Sequence, residues 1–309
     1  MIDEAILERY MDESSAKMKE SSRKHIQANI RQLFNAKPNV PIEDMKRQDF
    51  LDVFSNQSIL TSNTFYPYKS KMVDFLIWMN EEGYCSQTPL KELQGIRYED
   101  ISRSGYYDMY YFSDYNDLAQ TMDVILEECG EEYNTFKVAA TMVWAGIQLD
   151  DAVNVLKSEF DEQTGTITHD GKTTQFPPLA ASLIADYKAS ESYEARRCGG
   201  VIVNYCNTRY LLRSITKPQL DKHGLSHYAV VANKYTEGYD KKFKWISIYL
   251  SGLYYRIYQY EQEHGTIGRT NYDVLKQFFM PDVEDITKVR YKLCVKYDEY
   301  CEFRDHVYA

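Results

Sequence analysis

The sequence predicts a mainly α-helical chain: a small helical domain, then a larger helical domain with one small β-hairpin at about residues 165–176. Three observations support this. Apolar residues recur at helical spacing over most of the 309 residues. Gly and Pro are few, 14 and 8, and fall mostly between the periodic stretches. A threonine-rich alternating stretch split by an Asp-Gly pair occurs once. The 44% hydrophobic and 27% charged residues fit a globular chain long enough for two cores.

In the first domain, residues 1–84, Ser21-Ser22 precede Ile26, Ile30, Leu33 and Phe34 in an amphipathic helix that stops near Asn35 and Pro38. A second helix opens at Pro41-Ile42-Glu43-Asp44-Met45, with Phe50, Leu51, Val53 and Phe54 as its apolar side. Ser62-Asn63-Thr64 caps a third, where Tyr68, Met72, Phe75, Leu76 and Met79 recur until Gly83. Residues 85–111, with Pro89, Gly95 and Gly105, lack a sustained period and read as a linker.

The second domain, 112–309, starts with Ser113 as N-cap and Leu118, Met122, Ile125 and Leu126 on one face. An apolar helix Thr135–Trp144 ends before Gly146, and Asp150–Leu156 predicts another. The hairpin follows, strands either side of His169-Asp170-Gly171. After Pro177-Pro178 the pattern is helical to the end, with loops near Gly199-Gly200, Gly224, Gly238, Gly265–Gly268 and Pro281.

Several classes of function are disfavoured. No apolar run approaches the roughly 20 residues of a membrane span, and Met1-Ile2-Asp3-Glu4 lacks the pattern of a secretory leader. Six cysteines without a CxxC pair argue against a zinc ribbon or a disulfide scaffold and predict a reducing cytoplasm. Phosphate-loop, dinucleotide, HExxH and GxSxG motifs are missing. His223 and His227 stand four apart, but without a third ligand nearby, so neither metal nor cofactor is expected. Asp150-Asp151 reads as an acidic helix start.

The formal charge of −10 is unevenly spread. Residues 81–160 hold 16 acids against 5 bases, whereas residues 16–72 hold 10 bases against 5 acids and residues 196–244 hold 10 against 3. Two basic stretches, one in each half, suit a two-sided grip on a polyanion.

The stretch Gly146-Ile147-Gln148-Leu149-Asp150-Asp151-Ala152-Val153-Asn154-Val155-Leu156 resembles the first catalytic motif of the tyrosine recombinase (phage integrase) family. In that family Gly-Leu precedes an Arg, with a Glu three residues later. Phe112-Ser113-Asp114 resembles the start of its catalytic domain, Lys172 stands where it keeps a hairpin lysine, and Pro177-Pro178-Leu179 resembles the step after it. Residues 20–85 look like its core-binding domain, so the resemblance spans most of 15–300. The departures are chemical. Gln148 replaces the Arg and Asp151 the Glu. Ile248 and Ser251 stand for the His and Arg of the His-x-x-Arg box, and Pro281 for the later His. Only Tyr291 remains at the nucleophile position. Strand cleavage concentrates negative charge on phosphoryl oxygens. Losing one electrostatic donor there costs about 100- to 1000-fold in rate, and uncharged Gln cannot replace a guanidinium.

The resemblance therefore implies a non-enzymatic, sequence-specific binder of a double-stranded DNA operator. That is a repressor of phage or prophage genes, acting in lysogeny control in a bacterial cytoplasm, with a phage-encoded regulatory protein as a further partner. Phosphate contacts are expected from Lys17, Lys19, Arg23, Lys24, Arg31, Lys69 and Lys71 in the first half. In the second half they are expected from Lys172, Arg196, Arg197, Arg209, Arg213, Lys241, Lys242 and Lys244. Two alternatives stay open: a divergent active recombinase drawing on Arg209, Arg213, Arg256 or Arg290, and a helical protein-interaction module favoured by the net acidity.

Overall fold

A computed structural model describes residues 3–14, 18–37, 39–55, 62–236 and 238–309. The chain divides into two compact units, Met1–Tyr106 and Tyr107–Ala309.

The first unit is helical: α1 (Glu4–Ser14), α2 (Glu20–Asn35), α3 (Arg47–Ser55), α4 (Ser62–Glu81) and α5 (Thr88–Gln94), with α6 (Ser104–Tyr110) crossing the boundary. Its core is aromatic: Phe34, Phe50, Phe54, Phe65 and Phe75 are buried, with ring centroids of Phe54 and Phe65 5.1 Å apart. α1, which the sequence reading omits, buries Leu7, Tyr10 and Met11. The stretch 85–111, expected as a linker, contains α5 and α6. Pro89 supplies the first turn of α5, where a missing N–H costs nothing, and Leu93, Ile96 and Ile101 join the first core. Three well-spaced apolar residues anchor a segment too short to show a period.

The second unit is built on α8 (Asn134–Trp144), buried along its length, against which α12 (Trp245–His264) packs. The close approach requires Gly252, because a Cβ there would collide with the Trp144 carbonyl. α7 (Tyr115–Ile125) precedes α8 and is capped by Asp114, one residue beyond the expected Ser113. The Asp114 carboxylate accepts from the Asp117 N–H at 2.8 Å. α9 (Leu149–Ala152) is shorter than the expected Asp150–Leu156. The hairpin is present: β2 (Thr166–His169) and β3 (Lys172–Gln175) pair antiparallel, with β1 (Phe160–Asp161) added to β2. Its turn places Asp170 and Gly171 at positive φ, 47° and 74°, as a two-residue hairpin requires.

α10 (Pro178–Ala189) leads into a feature that the helical reading misses. β4 (Ser192–Ala195) and β5 (Val201–Asn204) form a second antiparallel ribbon, joined through Arg196–Gly200 with Gly199 and Gly200 at φ 77° and 78°. Residues 205–221 hold no helix, and Gly224 lies inside α11 (Lys222–Ala232) instead of in a loop. α13 (Tyr272–Phe279) and α14 (Arg290–Val307) complete the unit. α14 is held by Glu261 of α12, which is 6% exposed and accepts from Tyr300 Oη at 2.7 Å and from an Arg304 guanidinium N–H at 3.1 Å.

Candidate functional site

A cavity of about 500 Å³ opens in the second unit, and four elements build it. The turn between α8 and α9, with α9 itself, supplies Gly146, Gln148 and Asp151; the first ribbon supplies Ile167, His169, Lys172 and Thr174. α12 contributes Tyr249, and the segment from the end of α13 into the first turn of α14 contributes Met280, Pro281, Asp282, Val289 and Lys292. Gly146 sits at φ 109°, a region closed to most side chains, and a Cβ there would meet the Arg256 guanidinium at 3.0 Å. This turn aims Gln148 into the cavity from the N-cap of α9.

Four of the residues singled out from the sequence thus converge: Gln148, Asp151, Lys172 and Pro281. Three do not. Ile248 and Ser251 are fully buried on the other side of α12. The Ser251 hydroxyl donates to Ser247 O at 2.7 Å and accepts from the Phe112 N–H at 3.0 Å, so it serves the core. The α12 residue that lines the cavity is Tyr249. Tyr291 is 76% exposed at the start of α14, and its neighbours Val289 and Lys292 face the cavity in its place. The sequence reading missed Tyr249, Asp282 and Lys292; for Lys292, its adjacency to Tyr291 was the available signal.

The cavity contains both signs of charge. The Lys172 ammonium stands 3.2 Å from an Asp282 carboxylate oxygen, both side chains largely in solvent. The His169 side chain, 15% exposed, is held by Glu159 at 3.0 Å. No arginine is present among the described lining residues. The Arg256 guanidinium lies behind Gly146. It donates to Trp144 O at 2.8 Å, and burial pulls its pKa down to about 10. Among the described residues no three His, Cys, Asp or Glu side chains gather to hold a metal ion.

The expected DNA contacts fall into distinct environments. Lys17 and the Arg197 side chain lie outside the described residues. In the first unit Lys19 is exposed. Arg23, Lys24, Arg31 and Lys71 are paired with Asp12, Glu20, Glu4 and Asp74 at 2.6, 3.1, 2.6 and 3.6 Å. Lys69 does internal work: its ammonium donates to Gln94 O and Ile96 O, tying α4 to the end of α5.

In the second unit Arg213 is no surface cation. It is 2% exposed, sandwiched between the Tyr187 and Tyr205 rings at 4.5 and 4.2 Å, and donates to Tyr187 O and Ser190 O. Lys241 donates to Tyr111 O at 2.5 Å, and burial lowers its pKa. Lys244 lies 3.8 Å from the centre of the Tyr110 ring. Arg209 stacks on Tyr210, while Arg196 and Lys242 are exposed.

No protein-family model and no curated protein matches this chain. Among solved structures it is similar to XerA recombinase, with 10% identity over 94% of this chain and 93% of that one and a TM-score of 0.39. It is also similar to a lambda integrase (75–356) dimer bound to a COC′ core site, with 13% identity, 95% of each chain covered and a TM-score of 0.36. A third likeness is to a lambda integrase tetramer bound to a Holliday junction: 13% identity, 91% of this chain, 77% of that one, TM-score 0.35.

Proposed function

We propose that this protein binds double-stranded DNA sequence-specifically on a recombinase-like scaffold and occupies its site without cutting it, as a repressor of phage or prophage genes. The observation that supports this reading is the cavity. Gln148, which the resemblance sets where the family keeps an arginine, and Pro281, which it sets where the family keeps a histidine, both line it, and α12 presents Tyr249. Lys172 and Lys292 at its lining are the cations that would meet a phosphodiester, against Asp151 and Asp282. Without a guanidinium aimed at the phosphoryl oxygens the cavity supplies little to stabilise the charge that develops during cleavage. Tyr291 is exposed beside the cavity, and among the described residues no hydrogen bond joins its hydroxyl to a base.

A second reading, a divergent active recombinase, draws support from one observation: Arg256 lies against Gly146 with no carboxylate partner among its hydrogen bonds. One experiment separates the two. DNA selected by the protein is sequenced, and the selected duplex is incubated with parent and Tyr291→Phe, then resolved on a denaturing gel. Equal binding by both proteins, with affinity falling by orders of magnitude between about 50 and 200 mM salt and no covalent adduct, is the expected result. An adduct from the parent that the variant lacks would establish the recombinase.

A further inference from the structure

We propose that the outer edge of β5 is a docking strand for an extended, basic segment of a partner protein, which adds to the second ribbon as a third strand. The idea rests on geometry and charge at β4–β5 and is independent of DNA binding at the cavity.

The ladder leaves this edge open. Residues pair as Ser192↔Asn204, Tyr193↔Val203, Glu194↔Ile202 and Ala195↔Val201. The Tyr205 N–H donates to Glu191 O at 3.0 Å, which sets the phase of the ribbon. In an antiparallel pair the hydrogen-bonded positions alternate. Tyr193↔Val203 and Ala195↔Val201 are therefore the bonded pairs, and Ile202 and Asn204 turn their N–H and C=O groups away from β4. The sheet ends at β5, and no hydrogen bond from another described residue reaches those groups. An edge that presents unpaired backbone groups is a template for an added strand.

Side-chain exposure and charge support the same reading. Val201 and Ile202 are 54% and 63% exposed, adjacent apolar residues on a strand that buries neither. Such residues gain by being covered. The acids lie on the β4 side of the ribbon: Glu194 is directly across from Ile202. The turn Glu127–Tyr133 packs against β4, with Glu131 accepting the Glu194 N–H at 3.2 Å. The basic residues of the ribbon, Arg196 and Arg197, lie in the turn beyond the paired strands.

A strand added to β5 would place its side chains about 10 Å from Glu194, two strand spacings away. That is within the reach of a lysine stem and about one screening length at physiological salt. Charge complementarity thus selects a basic segment. It also argues against a second copy of this chain, since pairing two β5 edges would bring two sets of these glutamates together.

The test uses the full chain with two labelled, capped peptides of about eight residues, a typical strand length. One alternates lysine with valine, the other glutamate with valine. The lysine–valine peptide should bind at least tenfold more tightly, read by fluorescence anisotropy, and should protect the Ile202 and Asn204 amides from hydrogen exchange. Ile202→Pro deletes an outward N–H while sparing the pairs bonded to β4, and should reduce binding at least tenfold. Glu194→Lys keeps the strand and should reverse the preference between the peptides. Equal binding of both peptides, unchanged binding by Ile202→Pro, unprotected Ile202 and Asn204 amides, or self-association of the protein through β5 in place of peptide binding would each overturn the proposal.

Discussion

The two ribbons of the second unit share a plan and differ in chemistry. β2–β3 and β4–β5 each pair two four-residue strands antiparallel. The first closes through a tight Asp-Gly turn, buries Ile167 at 1% exposure and shows threonines outward, with Thr168 and Thr173 joined by their hydroxyls at 3.0 Å. It ends on Lys172 at the cavity. The second closes through the wider Arg196–Gly200 turn, rests on Tyr193 and Ala195, and leaves Val201 and Ile202 in solvent beside glutamates. Topology therefore says little about what a ribbon binds. The two roles proposed above differ accordingly: a phosphate contact through Lys172 for the first ribbon and a basic protein strand for the second.

Stability offers the widest separation between them. Ile167→Ala empties a filled site in the core and should cost about 2–4 kcal/mol. Ile202→Ala, the same chemical change on the second ribbon, should fall within about 0.5 kcal/mol. Paired denaturant titrations measure both, and comparable losses would mean that β5 is covered in solution. DNA affinity gives the next largest contrast. Lys172→Glu should weaken DNA binding about tenfold or more, roughly 1.4 kcal/mol, and lower the salt dependence by about one phosphate contact. Arg196→Glu combined with Arg197→Glu reverses two of the expected phosphate contacts and should also weaken binding, but by less than Lys172→Glu, because the acidic turn Glu127–Tyr133 packed against theirs already offsets part of their charge. The opposite ranking would move the DNA interface to the second ribbon.

The first ribbon was legible because local rules decide it: alternating threonines flank an Asp-Gly pair that favours the required positive φ. The second was not. Ser-Tyr-Glu-Ala shows little alternation of polarity, and Val201–Val203 is a short apolar run that only its partner strand fixes as β. The cavity was half legible. Gln148, Asp151 and Pro281 flank glycine or proline turns that anchor the motif locally. On α12, tyrosines occupy every face, so no polar stripe reports its rotation, and the residue that reaches the cavity is Tyr249, one position from Ile248. Arg213 was misread for a related reason. Its charge counts as surface in a tally, but Tyr187 and Tyr205, distant in sequence, enclose it.

The smallest expected effect concerns the acid beside Lys172. Asp282 meets the Lys172 ammonium at 3.2 Å, with the two side chains 79% and 73% exposed. Exposed pairs of this kind contribute about 0–1 kcal/mol, so Asp282→Asn should leave stability within about 0.5 kcal/mol. Its effect on DNA should have the other sign. A carboxylate at the mouth of the cavity repels a phosphate and competes for the same ammonium, and the amide removes both without changing shape. DNA affinity should rise about two- to fivefold at low salt, and the gain should shrink near 200 mM as screening shortens the range of the removed charge. In Lys172→Gln the ammonium is gone, and only the direct repulsion is left for Asp282→Asn to relieve. The gain should therefore be smaller in the double variant than in the single one. Equal gains in both backgrounds would mean that Asp282 acts on DNA by itself and that Lys172 is not the cation it restrains. A loss of affinity in Asp282→Asn would mean that the ion pair orients Lys172 toward the phosphate.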